Sequence, residues 1–304
     1  MKSINPTLNF FVGKGGVGKS TVSALVSLKK SLNTERTLLV SMDPAHNQGD
    51  IFRTDIGEKP LEIASNLWVI QVDTDRWIKQ YLKETEESVS RKYNYQKAFN
   101  IKNYFKVLQF SPGIEEYALM KAFESILLKH QDKHLIVFDM PPTALTLRFF
   151  SLPHLTLTWI NELTKLREKI HKKQEILSNI KIGKKQIETD SILTKLKNMR
   201  ENYTKLNDLF VSEKTRINLV SKPDELSQSE SIRIHKKLGD LGKPLQAVIL
   251  NGATNEASVD YYKKHIPARQ YALLPESSKA LIGLENLREY AKSAGTEIEK
   301  ILNP

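Results

Sequence analysis

The chain has 304 residues, 40% of them hydrophobic and 27% charged, and its 46 Lys and Arg against 35 Asp and Glu give a net charge of +11 at pH 7. It contains no cysteine, which excludes disulfides, thiolate zinc sites, iron–sulfur clusters and cysteine nucleophiles. The basic residues are mixed with acidic ones and follow no nucleic-acid-binding pattern, so we expect a lysine-rich solvated surface and no specific nucleic-acid partner.

Short apolar runs rich in Val, Ile, Leu and Phe recur along the chain between helical patterns. Their hydrophobicity is continuous rather than alternating, which is typical of strands buried on both faces of a parallel sheet. They occupy residues 8–12, 37–42, 67–72, 135–138, 217–220, 247–250 and 271–274. Helices between such strands predict a doubly wound, mostly parallel α/β sheet in a single domain over residues 1–304. In such a fold the ligand lies beyond the carboxyl ends of the strands.

The first predicted strand runs directly into a glycine-rich loop, residues 13–20, which reads Gly-Lys-Gly-Gly-Val-Gly-Lys-Ser and precedes a helical pattern. Strand, glycine loop and helix in this order are the setting of a phosphate-binding P-loop, because the loop N–H groups and the helix N-terminus face the phosphates. Lys19 is placed to reach the β- and γ-phosphates, and Ser20 to offer its hydroxyl to Mg²⁺. The predicted nucleotide-binding residues of this region are Gly13, Lys14, Gly15, Gly16, Val17, Gly18, Lys19, Ser20 and Thr21.

The second predicted strand is followed by Asp43 and then by Pro44-Ala45-His46-Asn47. A carboxylate that leaves a buried strand beside a triphosphate can orient the attacking water or reach the shell of the metal. A single aspartate after a strand is more often a turn residue or a helix cap. The prediction of a functional Asp43 therefore depends on the P-loop in the same sheet.

Two segments interrupt the alternation of strands and helices. Residues 76–130 have a helical pattern with many aromatics and a break at Pro112-Gly113, and residues 151–212 have apolar residues at helical spacing with a break at Gly183. We expect a helical subdomain made from both segments. Two interpretations of the basic insert at 151–212 stay open, namely an amphipathic helical hairpin packed on the sheet and a surface that binds a partner.

The fourth apolar run, residues 135–138, is followed directly by Asp139. This is the Walker-B pattern, which places a carboxylate near Mg²⁺ bound at a P-loop. Ser20 and Asp139 are therefore the predicted metal residues, with the carboxylate acting directly or through water. The stiff segment that follows, Met140-Pro141-Pro142-Thr143, is suited to respond to the presence of a γ-phosphate.

Three segments in this order resemble the arsenical-pump and tail-anchored-protein-targeting ATPase family, a SIMIBI-like branch of the P-loop proteins. They are residues 13–20, 43–47 and 139–148, which resemble the deviant P-loop, switch I and switch II of that family. Weaker similarities follow at residues 111–116, 223–227, 249–251, 273–276 and 283–287. The resemblance covers nearly the whole chain and is most specific in its first three segments.

The resemblance implies a role for each matching residue. Lys14, the lysine after the first loop glycine, would contact the nucleotide of the partner subunit in a homodimer. Asp43 would position or activate the attacking water, and Asp139 would sense the metal and the γ-phosphate. Asn251 would hydrogen-bond adenine through its amide, with a purely structural turn asparagine as the alternative. The implied catalytic residues are Lys14, Lys19 and Asp43, and the implied ligands are ATP and Mg²⁺.

The chain also departs from the pattern of this family. Without cysteine it has neither the thiolates with which some members bind arsenite or antimonite nor the Cys-x-x-Cys pair through which others hold a dimer-bridging zinc. A dimer would therefore depend on packing and on nucleotide held between the subunits. Switch I continues Gln48-Gly49-Asp50 where the family tends to have Leu-Ser-Asp, and switch II has Ala144-Leu145 where Gly-His is usual.

Together these features predict a Mg²⁺-dependent ATPase that works as a nucleotide-switched homodimer and shields or targets apolar segments of membrane proteins. Such a segment, or a membrane receptor, would be its partner. Two alternatives stay open, namely an ATPase that drives an anion or metalloid transporter, which the missing thiols disfavour, and a non-hydrolytic scaffold for a protein or membrane partner. The chain has no long apolar run and no signal-peptide pattern, so a cytoplasmic location is expected, with peripheral membrane contact left open.

Overall fold

The computed structural model describes residues 6–45, 47–92, 107–180, 191–253 and 256–302. A sheet of eight strands forms its centre. The strands are β1 (Thr7–Val12), β2 (Thr37–Ser41), β3 (Leu61–Ala64), β4 (Leu67–Gln71), β5 (Leu135–Asp139), β6 (Thr215–Ser221), β7 (Leu245–Asn251) and β8 (Gln270–Leu274).

The spatial order of the strands is β3-β4-β2-β5-β1-β6-β7-β8. Strand β3 is antiparallel to β4, and every other neighbouring pair is parallel. Strand β1 lies between β5 and β6, with Phe11 opposite Asp139 on one side and Val12 opposite Leu219 on the other. The carboxyl ends of β2, β5, β1, β6 and β7 therefore meet at one edge of the sheet.

Helices connect the strands. They are α1 (Lys19–Leu32), α2 (Asn47–Phe52), α3 (Thr74–Lys92), α4 (Ile114–Lys129), α5 (Thr143–Ile180), α6 (Ser191–Val211), α7 (Glu225–Asp240), α8 (Glu256–His265), α9 (Leu284–Ser293) and α10 (Gly295–Leu302). None of the helices in the described residues combines the length and the apolar character that crossing a bilayer requires.

The doubly wound, mostly parallel sheet that the sequence predicts is confirmed. All seven predicted runs form strands, because most of their residues are buried in the sheet. The short strand β3 escaped prediction because its residues are exposed or half-buried and it pairs in antiparallel fashion at the edge. Helix α4 begins directly after the expected break, at Gly113, whose φ of 90° lies in the left-handed region.

Apolar side chains cover both faces of the sheet. On one face, Phe10 and Phe138 stack with their ring centroids 4.8 Å apart, and Phe123 meets Phe149 edge to face at 5.7 Å. Each of these four rings is completely buried, and aromatic pairs of this kind contribute about 0.5–1.5 kcal/mol beyond their burial. On the other face, helix α1 packs over Phe11 and the neighbouring strands. This packing fixes the strand ends from which the polar residues emerge.

The chain divides into two compact units. The first combines Met1–Phe149 with Glu213–Pro304 and contains the sheet. The second, Phe150–Ser212, contains most of α5 and all of α6, and in it the rings of Phe150 and Phe210 meet edge to face at 5.2 Å. That residues 76–130 and 151–212 together make one helical subdomain stays a prediction, and the expected break at Gly183 lies outside the described residues.

Candidate functional site

The predicted site residues are attached to neighbouring strands at the same edge of the sheet. The loop 13–18 follows β1, Asp139 is the last residue of β5, and Asp43 comes two residues after the end of β2. A hydrogen bond from the Met42 N–H to the Asp139 carbonyl, 2.9 Å long, joins the ends of β2 and β5. The two carboxylates are thereby placed on one side of the glycine loop.

At two positions of the loop a residue larger than glycine would clash with the neighbouring chain. At Gly13, where φ is 151°, an added Cβ would lie 2.2 Å from the carbonyl oxygen of Val220. At Gly18, where φ is 92°, it would lie 2.3 Å from the amide nitrogen of Asn251. Gly18 is also the cap from which α1 starts, so the loop leads directly into a helix N-terminus. The free N–H groups and the dipole of such a terminus favour a phosphate.

Lys19 is the first residue of α1, and its side chain reaches back to the backbone of the loop. It is only 5% exposed, and its ammonium group donates to the carbonyl oxygen of Lys14 at 3.3 Å. Burial lowers the pKa of Lys19, while the charges of Asp139 and Asp43 oppose this shift. The Lys19 ammonium is therefore a partly desolvated cation that the negative charge of a triphosphate would compensate.

Asp139 is completely buried. Its Oδ2 accepts a hydrogen bond of 3.0 Å from the amide of Gln48. Burial raises the pKa of the Asp139 carboxyl to about 6, and the Ser20 hydroxyl, the Gln48 amide and the charge of Lys19 each act in the opposite direction. Its second oxygen, Oδ1, has no hydrogen-bond partner of normal geometry among the described residues.

These groups fit a magnesium ion bound together with a nucleotide. Mg²⁺ prefers hard oxygen ligands and is commonly held by one or two protein groups, with phosphates and water completing the shell. The Ser20 hydroxyl and the Oδ1 atom of Asp139 supply such oxygens. The described residues contain no cluster of three or more His, Asp or Glu that could hold a metal without help from a ligand.

Asp43 is 7% exposed, and its carboxylate is ordered by its own turn. The Ala45 N–H donates to Asp43 Oδ1 at 3.0 Å, and no hydrogen bond from another described residue engages the other carboxylate oxygen. Residues Ala45 and Asn47 of the predicted switch I are described, but His46 lies outside the described residues. The catalytic role of Asp43 stays a prediction.

Asn251 ends strand β7 beside the glycine loop. Its amide nitrogen donates to the Val17 carbonyl at 2.9 Å, so it braces the loop. It also lines a cavity of about 510 Å³, together with Thr21, Lys222, Pro223, Asp224, Gly252, Pro275, Glu276, Ser277 and Leu281. A cavity of this size next to a phosphate loop has room for a base and a sugar. Recognition of adenine by Asn251 stays a prediction.

The predicted switch II begins helix α5 and contacts helix α4. The Thr146 hydroxyl donates to the Pro141 carbonyl at 2.5 Å, and the guanidinium of Arg148 pairs with Glu116 at 2.9 Å. The Glu116 side chain is 5% exposed, so the acidic partner of this ion pair is held by the surrounding protein, while Arg148 is largely exposed. It joins two of the segments that carry the family resemblance.

The structure adds a residue that the sequence did not place in the site. Gln48 is 0% exposed, and its amide nitrogen lies within hydrogen-bonding distance of the Ser20 carbonyl, the Ser23 hydroxyl and the Asp139 carboxylate. The sequence carries one signal for it, because a glutamine stands between Asp43 and the apolar end of α2 where the family that the motifs resemble tends to have leucine. Nothing in the sequence indicates that its partners lie 25 to 91 positions away.

A parallel sheet with a glycine loop, a helix N-terminus, a buried lysine and a carboxylate at one edge defines a P-loop nucleoside triphosphatase. The family model described as anion-transporting ATPase matches residues 7–273. The chain therefore belongs to the anion-transporting ATPase family, and the family and enzyme class that the sequence predicts are confirmed.

Relatives in this family carry several names. The chain is 25% identical over 299 residues to a putative arsenical pump-driving ATPase 2 of Aquifex aeolicus, with 93% of this chain and 97% of that protein covered. It is 31% identical over 239 residues to an ATPase ASNA1 homolog of Plasmodium falciparum, covering 77% of this chain and 60% of the relative. It is 28% identical over 246 residues to ATPase GET3 of Malassezia globosa, covering 80% and 71%.

Proposed function

We propose that this ATPase is Mg²⁺-dependent, works as a nucleotide-switched homodimer in the cytoplasm, and shields apolar segments of membrane proteins during their targeting. The observation that carries the proposal is the convergence of Lys19, Asp43 and Asp139 at one edge of the sheet. Each of the three is less than 10% exposed, and the glycine loop supplies the backbone donors beside them. Peripheral contact with a membrane receptor would accompany the delivery of cargo.

Different side chains of the site would bind the phosphates, the nucleoside, the metal and the attacking water. The loop N–H groups and Lys19 hold the β- and γ-phosphates, and the cavity lined by Thr21 and Asn251 receives the nucleoside. Ser20 and Asp139 hold the metal. When bound, Mg²⁺ neutralises charge on the transferring phosphoryl group. Asp43 orients the attacking water, because the carboxylate oxygen that the Ala45 N–H does not engage can accept a hydrogen bond and then a proton from it.

Lys14 provides the reason to propose a dimer. Its side chain is half-buried rather than enclosed, although its carbonyl oxygen is engaged by Lys19. A lysine at this position can reach outward from its own loop, and in the family that the motifs resemble it reaches the nucleotide of the partner. A cation delivered to the phosphoryl group from the second subunit would make hydrolysis depend on dimer formation.

We expect Lys14→Ala to lower kcat by about 10²-fold while ATP affinity changes by less than about threefold, because the lysine stabilises charge in the transition state. Turnover is measured for the purified protein, and its mass in solution is followed with and without ATP. Lys79→Ala, at an exposed position on α3, is the matched control and should behave as wild type. A wild-type protein that hydrolyses ATP as a monomer, with a rate independent of its concentration, would contradict the dimer.

Helix α5 supports the cargo role. Within Phe150–Ser212 it carries an apolar stripe of five side chains on one face, at a spacing of three or four residues. They are Leu155, 54% exposed, Trp159, 70%, Leu163, 44%, Leu166, 55%, and Ile170, 38%. Scattered exposed apolar residues are common on proteins, but an ordered stripe that contains a tryptophan is typical of a surface that binds an apolar partner.

We expect the double substitution Trp159→Ser and Leu163→Ser to weaken binding of an apolar segment at least tenfold, because each lost side chain contributes about 1.5–3 kcal/mol of burial. The probe is a labelled helical peptide with about 20 apolar residues between terminal lysines. Binding is followed by fluorescence anisotropy in the presence of ATP. The control is Leu128→Ser, which removes a side chain that is 72% exposed on α4. Equal affinity of the double variant and the control for the peptide would remove the stripe from the cargo role.

A second candidate is an energy-coupling ATPase of an anion transporter. The description of the family model and the name of the Aquifex aeolicus relative favour it. A chain without cysteine lacks the soft ligands that trivalent arsenic and antimony require. Antimonite added to the turnover assay separates the two candidates, since stimulation of the rate would support the transporter function and an unchanged rate the targeting function.

A further inference from the structure

Helix α2 is the structural link between the predicted switch I and the body of the protein. It is six residues long, Asn47–Phe52, and starts shortly after Asp43. Ile51 and Phe52 at its end join the apolar core under α1. Gln48 lies in its first turn and is fully buried, although its side chain is polar. Its burial therefore needs an explanation in hydrogen bonds.

The amide nitrogen of Gln48 lies within hydrogen-bonding distance of three acceptors. It is 3.0 Å from the carbonyl oxygen of Ser20, 3.1 Å from the hydroxyl of Ser23 and 3.0 Å from Oδ2 of Asp139. Two of these acceptors belong to α1, which begins at the glycine loop, and the third ends β5. One side chain thus joins switch I, the phosphate-binding helix and the Walker-B carboxylate.

The orientation of this amide follows from its surroundings. Turning it over would place its oxygen against the Ser20 carbonyl and the Asp139 carboxylate, which cannot donate. In the orientation present, Gln48 Oε1 is buried without a donor among the described residues. The Gln48 amide thus provides hydrogen bonds to its neighbours, while its own carbonyl oxygen receives none from the described residues. This suggests that the side chain is placed here for its N–H groups.

A neutral donor suits this place better than a cation. Asp139 is buried beside Lys19, and the charge of Lys19 is needed for phosphate. The Gln48 amide holds Oδ2 without supplying a competing charge, so Oδ1 is left for the metal and Lys19 for the nucleotide. Fixing the orientation of a ligand through a hydrogen bond to its other atom is a common way in which proteins tune a metal site.

The opposite end of α2 is held as well. The Gly283 N–H donates to the Ile51 carbonyl at 2.7 Å, which connects α2 to the start of α9. A displacement of Asp139 or of α1 would therefore be transmitted through Gln48 to α2. This helix follows Asp43 in the chain, and its other end is hydrogen-bonded to the residue before α9.

From this geometry we infer that Gln48 is a positioning residue for ATP hydrolysis: its amide orients the Asp139 carboxylate toward the metal and couples α1 and β5 to the segment that carries Asp43. The inference rests on the proposed function, because it concerns the same nucleotide site. It adds a residue at a position where the family that the motifs resemble tends to have leucine. Gln48 itself contacts neither nucleotide nor water in this role.

The test replaces the donor while keeping the shape. In Gln48→Met the side chain has a similar length and no N–H, and in Gln48→Glu it has the same shape with an acceptor facing Asp139. We expect kcat to fall about 10- to 100-fold in Gln48→Met, and at least as far in Gln48→Glu, as for other residues that orient a metal ligand. The affinity for ATP without Mg²⁺ should change less than threefold, whereas the Mg²⁺ concentration for half-maximal turnover should rise at least tenfold. Gln80→Met, at an exposed position on α3, is the matched control.

A merely structural role would give a different result. It would lower the melting temperature of the nucleotide-free protein and leave the Mg²⁺ dependence of turnover unchanged. A Gln48→Met variant that melts more than 10 °C below wild type, or one that keeps wild-type kcat and Mg²⁺ dependence, overturns the inference. If wild type itself does not hydrolyse ATP, the proposed function fails. The inference alone fails if wild type is active and both Gln48 variants match it.

Discussion

We expect Asp43→Asn to lower kcat for ATP by about 10³- to 10⁴-fold while ATP binding persists, because general base or water-orienting groups contribute effects of this size. The substitution is isosteric. The asparagine oxygen can still accept the hydrogen bond that the Ala45 N–H gives to Asp43 Oδ1, so the turn after β2 should remain intact. The loss then reports the charge and basicity of the carboxylate. It is measured as single-turnover hydrolysis together with the affinity for a fluorescent ATP analogue.

The same variant tests the switch. A protein that binds ATP and cannot hydrolyse it should accumulate in the closed state, so Asp43→Asn is expected to stay dimeric in ATP for much longer than wild type. Light scattering after the removal of free nucleotide measures this lifetime.

The control for this variant is Asp50→Asn, which removes a carboxylate from the exposed face of α2 a few residues away. It should keep wild-type turnover and wild-type dimer lifetime. If Asp43→Asn retains more than a tenth of wild-type kcat, Asp43 does not activate the water. Loss of ATP binding in the same variant would assign Asp43 to nucleotide affinity instead.

Much of this site was predictable because strand ends in a parallel sheet converge. The apolar runs before Gly13, Asp43 and Asp139 mark buried strands, and the order of helices and strands makes those strands parallel. The sequence pattern therefore places the glycine loop and two carboxylates at the same edge without any knowledge of contacts. The apolar run before Asn251 likewise places this residue at the same edge of the sheet.

Gln48 could not be predicted in the same way. Its environment depends on contacts with Ser20, Ser23 and Asp139, and each of these belongs to another part of the chain. Periodicity assigns a residue to a face of a helix but not to a partner across the fold. The edge strand β3 illustrates a second limit, because a short, half-exposed strand carries little hydrophobic signal.

The beginning of α5 shows how local chemistry can move a boundary. The helical segment expected from residue 151 starts at Thr143, directly after Pro142. Proline is well suited to the residues around a helix start, because it has no N–H to leave unpaired and its φ angle matches the first turn. Residues 143–148 of the predicted switch II therefore form the first turns of a long helix, whereas Asp139 ends β5. Helix α5 continues past Pro153, so this second proline does not end it.

Asp139→Asn should make the nucleotide-free protein more stable at pH 8 and nearly inactive. The pKa of the buried carboxyl is raised from 3.8 to about 6, so the native state holds this proton more tightly than the unfolded chain does. The contribution of this group to the free energy of unfolding therefore falls as pH rises from about 4 to about 6, and the loss is complete above that range. A shift of this size corresponds to a cost of up to about 3 kcal/mol for the ionised carboxylate at pH 8.

The measurement compares unfolding of wild type and Asp139→Asn at pH 5 and pH 8, with EDTA present and nucleotide absent. The stability gained by the variant should be about 1–3 kcal/mol at pH 8 and clearly smaller at pH 5, where wild type is largely protonated. Asp240→Asn, at the exposed end of α7, is the control and should show no such pH-dependent gain. A gain that is the same at both pH values would mean that the ionisation of Asp139 is not its cause.

Addition of Mg²⁺ and ATP should reverse the order of stability. Wild type gains binding energy through a carboxylate that can ligate the metal, whereas Asp139→Asn offers a neutral amide and should lose about 10³-fold in kcat. The charge that destabilises the empty protein would then be the charge that the metal requires. A buried carboxylate with a raised pKa destabilises the nucleotide-free protein. A reversal of the stability order of wild type and Asp139→Asn on addition of Mg²⁺ and ATP would show that ligand binding compensates for this cost. A variant that keeps its stability advantage in Mg²⁺ and ATP, with wild-type turnover, would exclude Asp139 from the metal site.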